Sequence, residues 1–160
     1  MRIIHSMKKQ NKTNAVEIKN RRVNFDYEIL EDEICGISLF GSEVKSIRNG
    51  KASISESYCS IQDGEMFIIG MHIAEYKESG RGGHEPYRKR KLLLTKKQIN
   101  RLDKKIKVKG MTIVPVKLFS NSKGLLKIKI ALAKGRKNYE KRASIKERDI
   151  KRDTAREINN

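Results

Sequence analysis

The stretch that decides the fold is MTIVPVKLFSNSKGLLKIKIALA, residues 111–133. Leu126, Ile128, Ile130 and Leu132 point one way along an extended chain, with Lys127 and Lys129 opposite. Successive strand side chains face opposite sides of a sheet, so this pattern predicts one buried and one wet face. The preceding run, 111–119, also reads as a strand. Its Pro115 has no N–H for a ladder, which places that site at an edge or a bulge. The loop 120–124 joins the two runs as a hairpin.

Upstream the same signal recurs. Phe25, Tyr27 and Ile29 alternate with Asp26 and Glu28. The alternation resumes out of phase at Cys35, Ile37 and Leu39, which predicts a bulge or bend across 31–33. Strand-like residues return over 52–61. Asp63-Gly64 then sits between two apolar stretches, the strongest hairpin signal in the chain. Strands are expected over 66–69 and 71–76. Residues 42–49 read as a short helix, with Ser42 as cap, Val44 and Ile47 on one face, and Gly50 at its end. Residues 77–87 form a loop punctuated by Gly80, Gly82, Gly83 and Pro86. Thr95 opens the clearest helix: Thr95 and Gln98 have capping-box spacing, and Ile99, Leu102 and Ile106 form one narrow apolar face. The sum is a mainly β protein with helices: a small antiparallel barrel of the oligonucleotide-binding type, flanked by helices.

The ends differ from this body. A chain of 160 residues suits one domain. Residues 1–20 are polar and aperiodic and read as a flexible arm, and 21–133 form the body. Residues 134–160 form a flexible basic tail with too thin an apolar stripe to join the core. Such a tail is either a disordered solubilising extension or a segment that folds on a partner.

Charge narrows the partner. The formal net charge is +18. Residues 88–109 hold eleven lysines and arginines against Asp103 alone, and 134–160 hold ten against five acids. Such a field attracts a polyanion, and a phosphate backbone fits best because neutralised phosphates release condensed counterions. An anionic membrane surface fits less well, since no basic stretch carries a broad apolar face. No apolar run reaches the length of a membrane span and the N-terminal residues show no apolar signal region, so a cytoplasmic protein is expected. Cys35 and Cys59 lack C-x-x-C spacing and read as small buried thiols in a reducing compartment.

No catalytic set emerges. Asp26, Glu28, Glu31, Asp32 and Glu33 lie on alternating faces without a histidine partner and read as a solvated strand face. His5, His72 and His84 have no metal-ligand spacing to either cysteine, so neither a metal nor another cofactor is expected. Arg88, Lys89, Arg90 and Lys91 are more informative: they abut Leu92-Leu93-Leu94, which must be partly buried, so the charges sit on a structured surface. Glu43 stands in the first turn of a short helix. It either complements the helix dipole or accepts a hydrogen bond from a base or ribose, with Lys45 and Arg48 beside it on phosphates.

Three segments, GSEVKSIRNGKASI, RKRKLLL and KIKIALAKGRKNYEKR, occur in this order and resemble the SmpB family of SsrA-binding proteins. The likeness covers about residues 20–160. It implies an oligonucleotide-binding-type barrel and a non-enzymatic, bacterial cytoplasmic adaptor, monomeric when free. The implied partners are transfer-messenger RNA, bound through its transfer-RNA-like domain, and the ribosome, whose decoding region and message channel receive the tail. The family's RNA-contacting glutamate falls on Glu43, and its leucine and polar residue fall on Leu93 and Thr95, where many relatives carry asparagine at the second position. The tail's functional stretch falls on Lys134, Gly135, Arg136, Lys137, Tyr139, Glu140, Lys141 and Arg142. Some relatives have histidine at Tyr139 and aspartate at Glu140, and Phe25 also stands where some have histidine. On this reading the tail becomes helical over about 145–158, including Ile150, inside the ribosome. A second class of protein shares the charge pattern: a ribosomal or ribosome-assembly protein that holds ribosomal RNA permanently.

Overall fold

The computed structural model describes residues 15–78, 80 and 83–158. The expected arm up to residue 14, with His5, lies outside these, as do Arg81 and Gly82 of the glycine loop and residues 159–160 of the tail. Within the expected arm, β1 (Glu17–Lys19) already pairs with a body strand.

The described chain is mainly antiparallel sheet with four helices. After β1 come α1 (Val23–Asp26), β2 (Tyr27–Ile37), α2 (Gly41–Arg48), β3 (Ala52–Ser53), β4 (Tyr58–Gln62), β5 (Glu65–Ile69), β6 (His72–Ile73) and β7 (Arg90–Leu93). Then follow α3 (Lys96–Ile106), β8 (Met111–Ser120), β9 (Leu126–Gly135) and α4 (Asn138–Ile158). The hairpin of residues 111–133 is β8–β9, and its ladder shifts register between Pro115 and Lys117. Pro115 therefore occupies a bulge, where a missing N–H breaks no ladder bond. β8 also pairs with β1 and β4, and the pairings continue through β4–β5, β5–β7, β7–β2 and β2–β9.

Several expectations shift when the chain folds. The first apolar alternation does not begin as strand: Val23–Asp26 is a helical turn, and the strand starts at Tyr27. The register slip falls between Ile29 and Glu31, one step before the expected bend. Between β4 and β5, Asp63 (φ 50°) and Gly64 (φ 74°) both take positive φ, as the Asp-Gly hairpin requires. Of the strand expected over 71–76, His72–Ile73 alone pairs, with β3.

Alternation places the core. Ile68, Met66, Ile73, Leu118, Ile128 and Ile47 are fully buried, and Leu102, with half-buried Ile106, seals the core from α3. A smaller cluster of Val23, Val114 and Ala133 lies under α1. Cys35 and Cys59 are free and buried. Burial pushes the Cys35 thiol up to about 12 and the Cys59 thiol further still. Gly70 is positioned by geometry: its φ is +78°, and an added Cβ would stand 2.9 Å from the Glu56 carbonyl oxygen. Gly70→Ala is expected to destabilise the protein by about 1–2 kcal/mol or more. A urea midpoint equal to wild type would remove that constraint.

The tail departs from expectation. The body's last strand runs through Lys134 to Gly135, two residues into the expected tail. The helix begins at Asn138 rather than near 145. α4 buries no residue. Its root nevertheless rests on α1: Lys141 Nζ lies 3.1 Å from Asp26 Oδ1, and Arg148 stands 5.3 Å over the Phe25 ring. A carboxylate and an aromatic ring on α1 thus supply the contact that the thin apolar stripe does not. No helix among the described residues is long and apolar enough to cross a membrane.

Candidate nucleic-acid interface

α2 arises from local chemistry. Phe40 is extended, and its N–H donates to Glu43 Oε2 at 2.7 Å, the reciprocal half of a capping box. Glu43, Ser46 and Ile47, spaced three and four apart, form the buried stripe. Lys45 and Arg48 fall on the exposed side. Ser42 does not cap the helix: its hydroxyl lies 2.9 Å from Nδ1 of His84, and Glu43 takes the capping role. His84 in turn is no loose loop residue. It is buried, with Nε2 3.1 Å from the Ile73 carbonyl oxygen.

β7 sorts the basic run by its pleat. Arg90 and Leu92 point inward and are essentially unexposed; Lys91 and Leu93 point outward. Each oxygen of Glu43 then accepts two hydrogen bonds. Oε1 accepts from Arg88 Nε (2.9 Å) and Arg90 Nε (2.7 Å), and Oε2 from Arg88 Nη2 (2.6 Å) and the Phe40 N–H (2.7 Å). Arg90 spends its remaining donors on the carbonyls of Met71 (2.8 Å), Arg88 (2.9 Å) and Pro86 (3.0 Å). Burial alone would push the Glu43 carboxyl up, but the hydrogen bonds from Arg88, Phe40 and Arg90 outweigh it and hold the carboxyl below the usual range.

Glu43 and Arg90, expected at the RNA surface, are therefore placed inside the body. Glu43 is 0% exposed and offers no oxygen outward. Both of its sequence readings miss this, because neither helix position nor local charge reveals that two arginines from 45 and 47 residues away converge on it.

The other expected residues do reach the surface. Arg88 is partly exposed and stacks 4.0 Å over the Phe40 ring. Lys89 donates to Gln62 Oε1 at 2.8 Å and lies 4.8 Å over Phe67. Lys91 pairs with Glu65, and Lys45 stands 5.2 Å over Tyr76. Arg48 is exposed with no ion-pair partner among the described residues. Leu93 opens to solvent, as does Ile34 of the adjacent β2. Ile34 escaped the sequence reading, although an isoleucine in the polar phase of the alternation was the available signal. Thr95 is exposed and caps α3: its Oγ1 accepts from the Gln98 N–H at 3.3 Å.

Glu31 and Glu33 are not simply a solvated face. They take Arg101 and Lys105 of α3 as ion-pair partners. The hydrogen bond from Lys105 holds the Glu31 carboxyl below its ordinary range. The outer helix face, with Lys97 and Lys104, stays unpaired among the described residues.

The tail residues form a second group, joined to the first by no hydrogen bond or ion pair among the described residues. Lys134 and Gly135 pair with Glu28 and Tyr27 in the sheet. The Arg136 N–H donates to the Asp26 carbonyl (2.9 Å), and Glu140 Oε2 accepts from the Lys137 N–H at 3.0 Å, opening α4. Lys141 is tied to Asp26. Tyr139, Arg142 and Ile150 are exposed.

Comparison with known proteins places these features in a family. The family model described as SmpB protein matches residues 17–160. An SsrA-binding protein of Flavobacterium johnsoniae is 51% identical over 142 residues, covering 89% of this chain and 94% of its own. One from Bacteroides thetaiotaomicron is 50% identical over 142 residues, covering 89% and 95%. A solved chain from the structure reported as "tmRNA-SmpB: a journey to the center of the bacterial ribosome" superposes with a TM-score of 0.64 at 43% identity, covering 76% of this chain and 85% of that one. The shared sequence spans both the outward face of β7 and the tail, and the chain belongs to the SmpB protein family.

Proposed function

We propose that this chain is a non-enzymatic RNA-binding adaptor of trans-translation, which binds the transfer-RNA-like domain of transfer-messenger RNA and delivers it to stalled ribosomes. The relatives named as SsrA-binding proteins and the neighbour named with transfer-messenger RNA and the ribosome support this reading. The observation that carries it is the outward row of β7. Lys91 and Leu93 stand on a strand anchored from behind by Arg90, with Lys89 just before its start, Arg88 braced by Glu43, and Lys45 and Arg48 on the neighbouring helix. Rigid cations with interleaved aromatic and apolar groups suit an RNA whose bases are partly unpaired. Glu43 acts in this reading as a positioning residue, setting the Arg88 guanidinium rather than touching RNA.

The circuit of pairings from β8 through β4, β5, β7, β2 and β9 back to β8 supports a closed barrel of the oligonucleotide-binding type. The tail residues Lys134 to Arg142 and Ile150 belong to the second partner, the decoding region and message channel of the ribosome. α4 is detached from the core except at its root, as a segment that orders fully only on a partner would be. The protein works in the cytoplasm as a monomer before it meets RNA.

Binding selectivity tests the reading. The protein is expected to bind the transfer-RNA-like domain more tightly than a ribosomal RNA fragment of equal length. Equal affinity would favour a ribosomal protein instead. Replacing Lys89 and Lys91 with glutamine is expected to lower the slope of log affinity against log salt by about 0.7–0.9 for each phosphate that is no longer neutralised. Arg90 is left out of that test, since its loss would disturb the fold. An unchanged slope would place the binding face elsewhere.

A further inference from the structure

The cations of the proposed RNA face share their surface with a carboxylate. β5 and β7 run antiparallel with Phe67 opposite Lys91, so Glu65 stands two residues on, diagonal to Lys91 on the same outward side. Lys91 Nζ lies 2.5 Å from Glu65 Oε1, and Glu65 has no other ion-pair or hydrogen-bond partner among the described residues. Gln62 faces Glu65 across the β4–β5 turn and holds Lys89 in the same way, as a neutral acceptor. The Lys91–Glu65 pair differs in kind from the buried pair of Arg90 and Glu43. Glu43 is 0% exposed and accepts four hydrogen bonds, so it is not free to exchange partners. The side chains of Lys91 and Glu65 are 44% and 47% exposed, and a pair so well solvated is weak and readily exchanged.

A phosphate that takes Lys91 must displace Glu65 and then stand beside it, and like charges repel. A donor placed there meets a strong acceptor instead, since an ionised carboxylate only accepts. A nucleic acid on this face is therefore sorted by which of its groups lies over β5. In RNA every ribose carries a hydroxyl beside its phosphates, at a spacing set by covalent bonds, while a base moves with its stacking. A cation and an acceptor side by side on one sheet match that phosphate and that hydroxyl. We infer that Glu65 is a specificity-determining residue of the RNA face: it passes Lys91 to a phosphate and accepts a hydrogen bond from the neighbouring ribose 2′-hydroxyl, which favours RNA over DNA. A deoxyribose strand offers no donor there and leaves the carboxylate facing a phosphate uncompensated. The inference rests on the RNA-binding reading but not on which RNA is bound.

Fluorescence anisotropy with a short single-stranded RNA and its 2′-deoxy counterpart of the same base sequence tests it. Glu65→Ala removes the acceptor and its charge from a half-exposed position on the outward face. It is expected to lower the preference for RNA over DNA roughly five-fold or more. Glu65→Gln removes the charge but keeps an oxygen acceptor, and is expected to tighten both probes roughly two-fold while keeping most of the preference. Asp103→Asn is the control for net charge: it frees Lys107 on α3 and is expected to leave the preference unmoved. Four results would each overturn the proposal: a wild-type protein that binds both probes alike, a preference unchanged in Glu65→Ala, a fall in Glu65→Gln as large as in Glu65→Ala, or an equal fall in Asp103→Asn. Wild-type selectivity for the transfer-RNA-like domain over a ribosomal RNA fragment, measured in parallel, reports on the adaptor reading separately: its loss would sink that reading and leave the Glu65 result standing.

Discussion

Glu43→Ala is expected to lower the melting temperature by roughly 10–20 °C, as a loss of about 3–5 kcal/mol, because it strands a buried guanidinium. Arg90 is 0% exposed, and Glu43 is its ion-pair partner. A surface carboxylate that served RNA alone would leave stability nearly unchanged. The pH dependence follows from the same geometry. The folded Glu43 pKa is depressed, so its contribution is fully present above the unfolded carboxylate value and is lost as pH falls through the lower folded value. The variant should therefore lie closest to wild type at strongly acid pH and furthest from it near neutrality. A double-mutant cycle separates the buried pair from a direct RNA role. Glu43→Leu with Arg90→Leu removes both charges and is expected to be more stable than either single variant, since apolar replacement of a buried pair is often neutral or better. A thermal melt of Glu43→Ala that matches wild type across this pH range would overturn the positioning role.

Truncation after Lys137 is expected to abolish tagging of stalled nascent chains while leaving the body intact. α4 has no buried residue, and its anchoring pair, Lys141 with Asp26, is partly solvated. Partly exposed pairs contribute about 0–1 kcal/mol, so the melting temperature should move by no more than a few degrees. The cut falls after Lys137 because Lys134 and Gly135 pair with β2, and removing them would shorten two ladders at once. The outward face of β7 is untouched, so affinity for the transfer-RNA-like domain should persist. Reconstituted tagging on a stalled ribosome measures the outcome. Normal tagging by the truncated chain would make the tail a solubilising extension, the other reading its composition allows.

Much of this was legible in the residues because it is local. Alternation along 126–132, the Asp63-Gly64 turn, the bulge at Pro115 and the Thr95 cap each depend on a few neighbouring residues, and each appears in the structure. The three family segments were equally plain, as was the concentration of charge over 88–109. Errors arose where local preference met a distant partner. Ser42 is a good cap in isolation, yet His84 takes its hydroxyl and Glu43 fills its place. The acids of β2 look solvated until α3 folds back and sets Arg101 and Lys105 on them. The tail looks too polar to hold a helix until Phe25 and Asp26 supply its footing.

By itself the sequence determined the class of partner and the strand pattern, since both follow from composition and from period-two spacing. It could not divide the run Arg88-Lys89-Arg90-Lys91 into roles. Four adjacent cations look alike until a pleat turns one of them inward and a carboxylate from α2 meets it there. That division belongs to the tertiary structure. A charge can be buried where its counter-charge and carbonyl acceptors converge from distant parts of the chain, and their convergence holds Arg90 inside while Lys89 and Lys91 face outward.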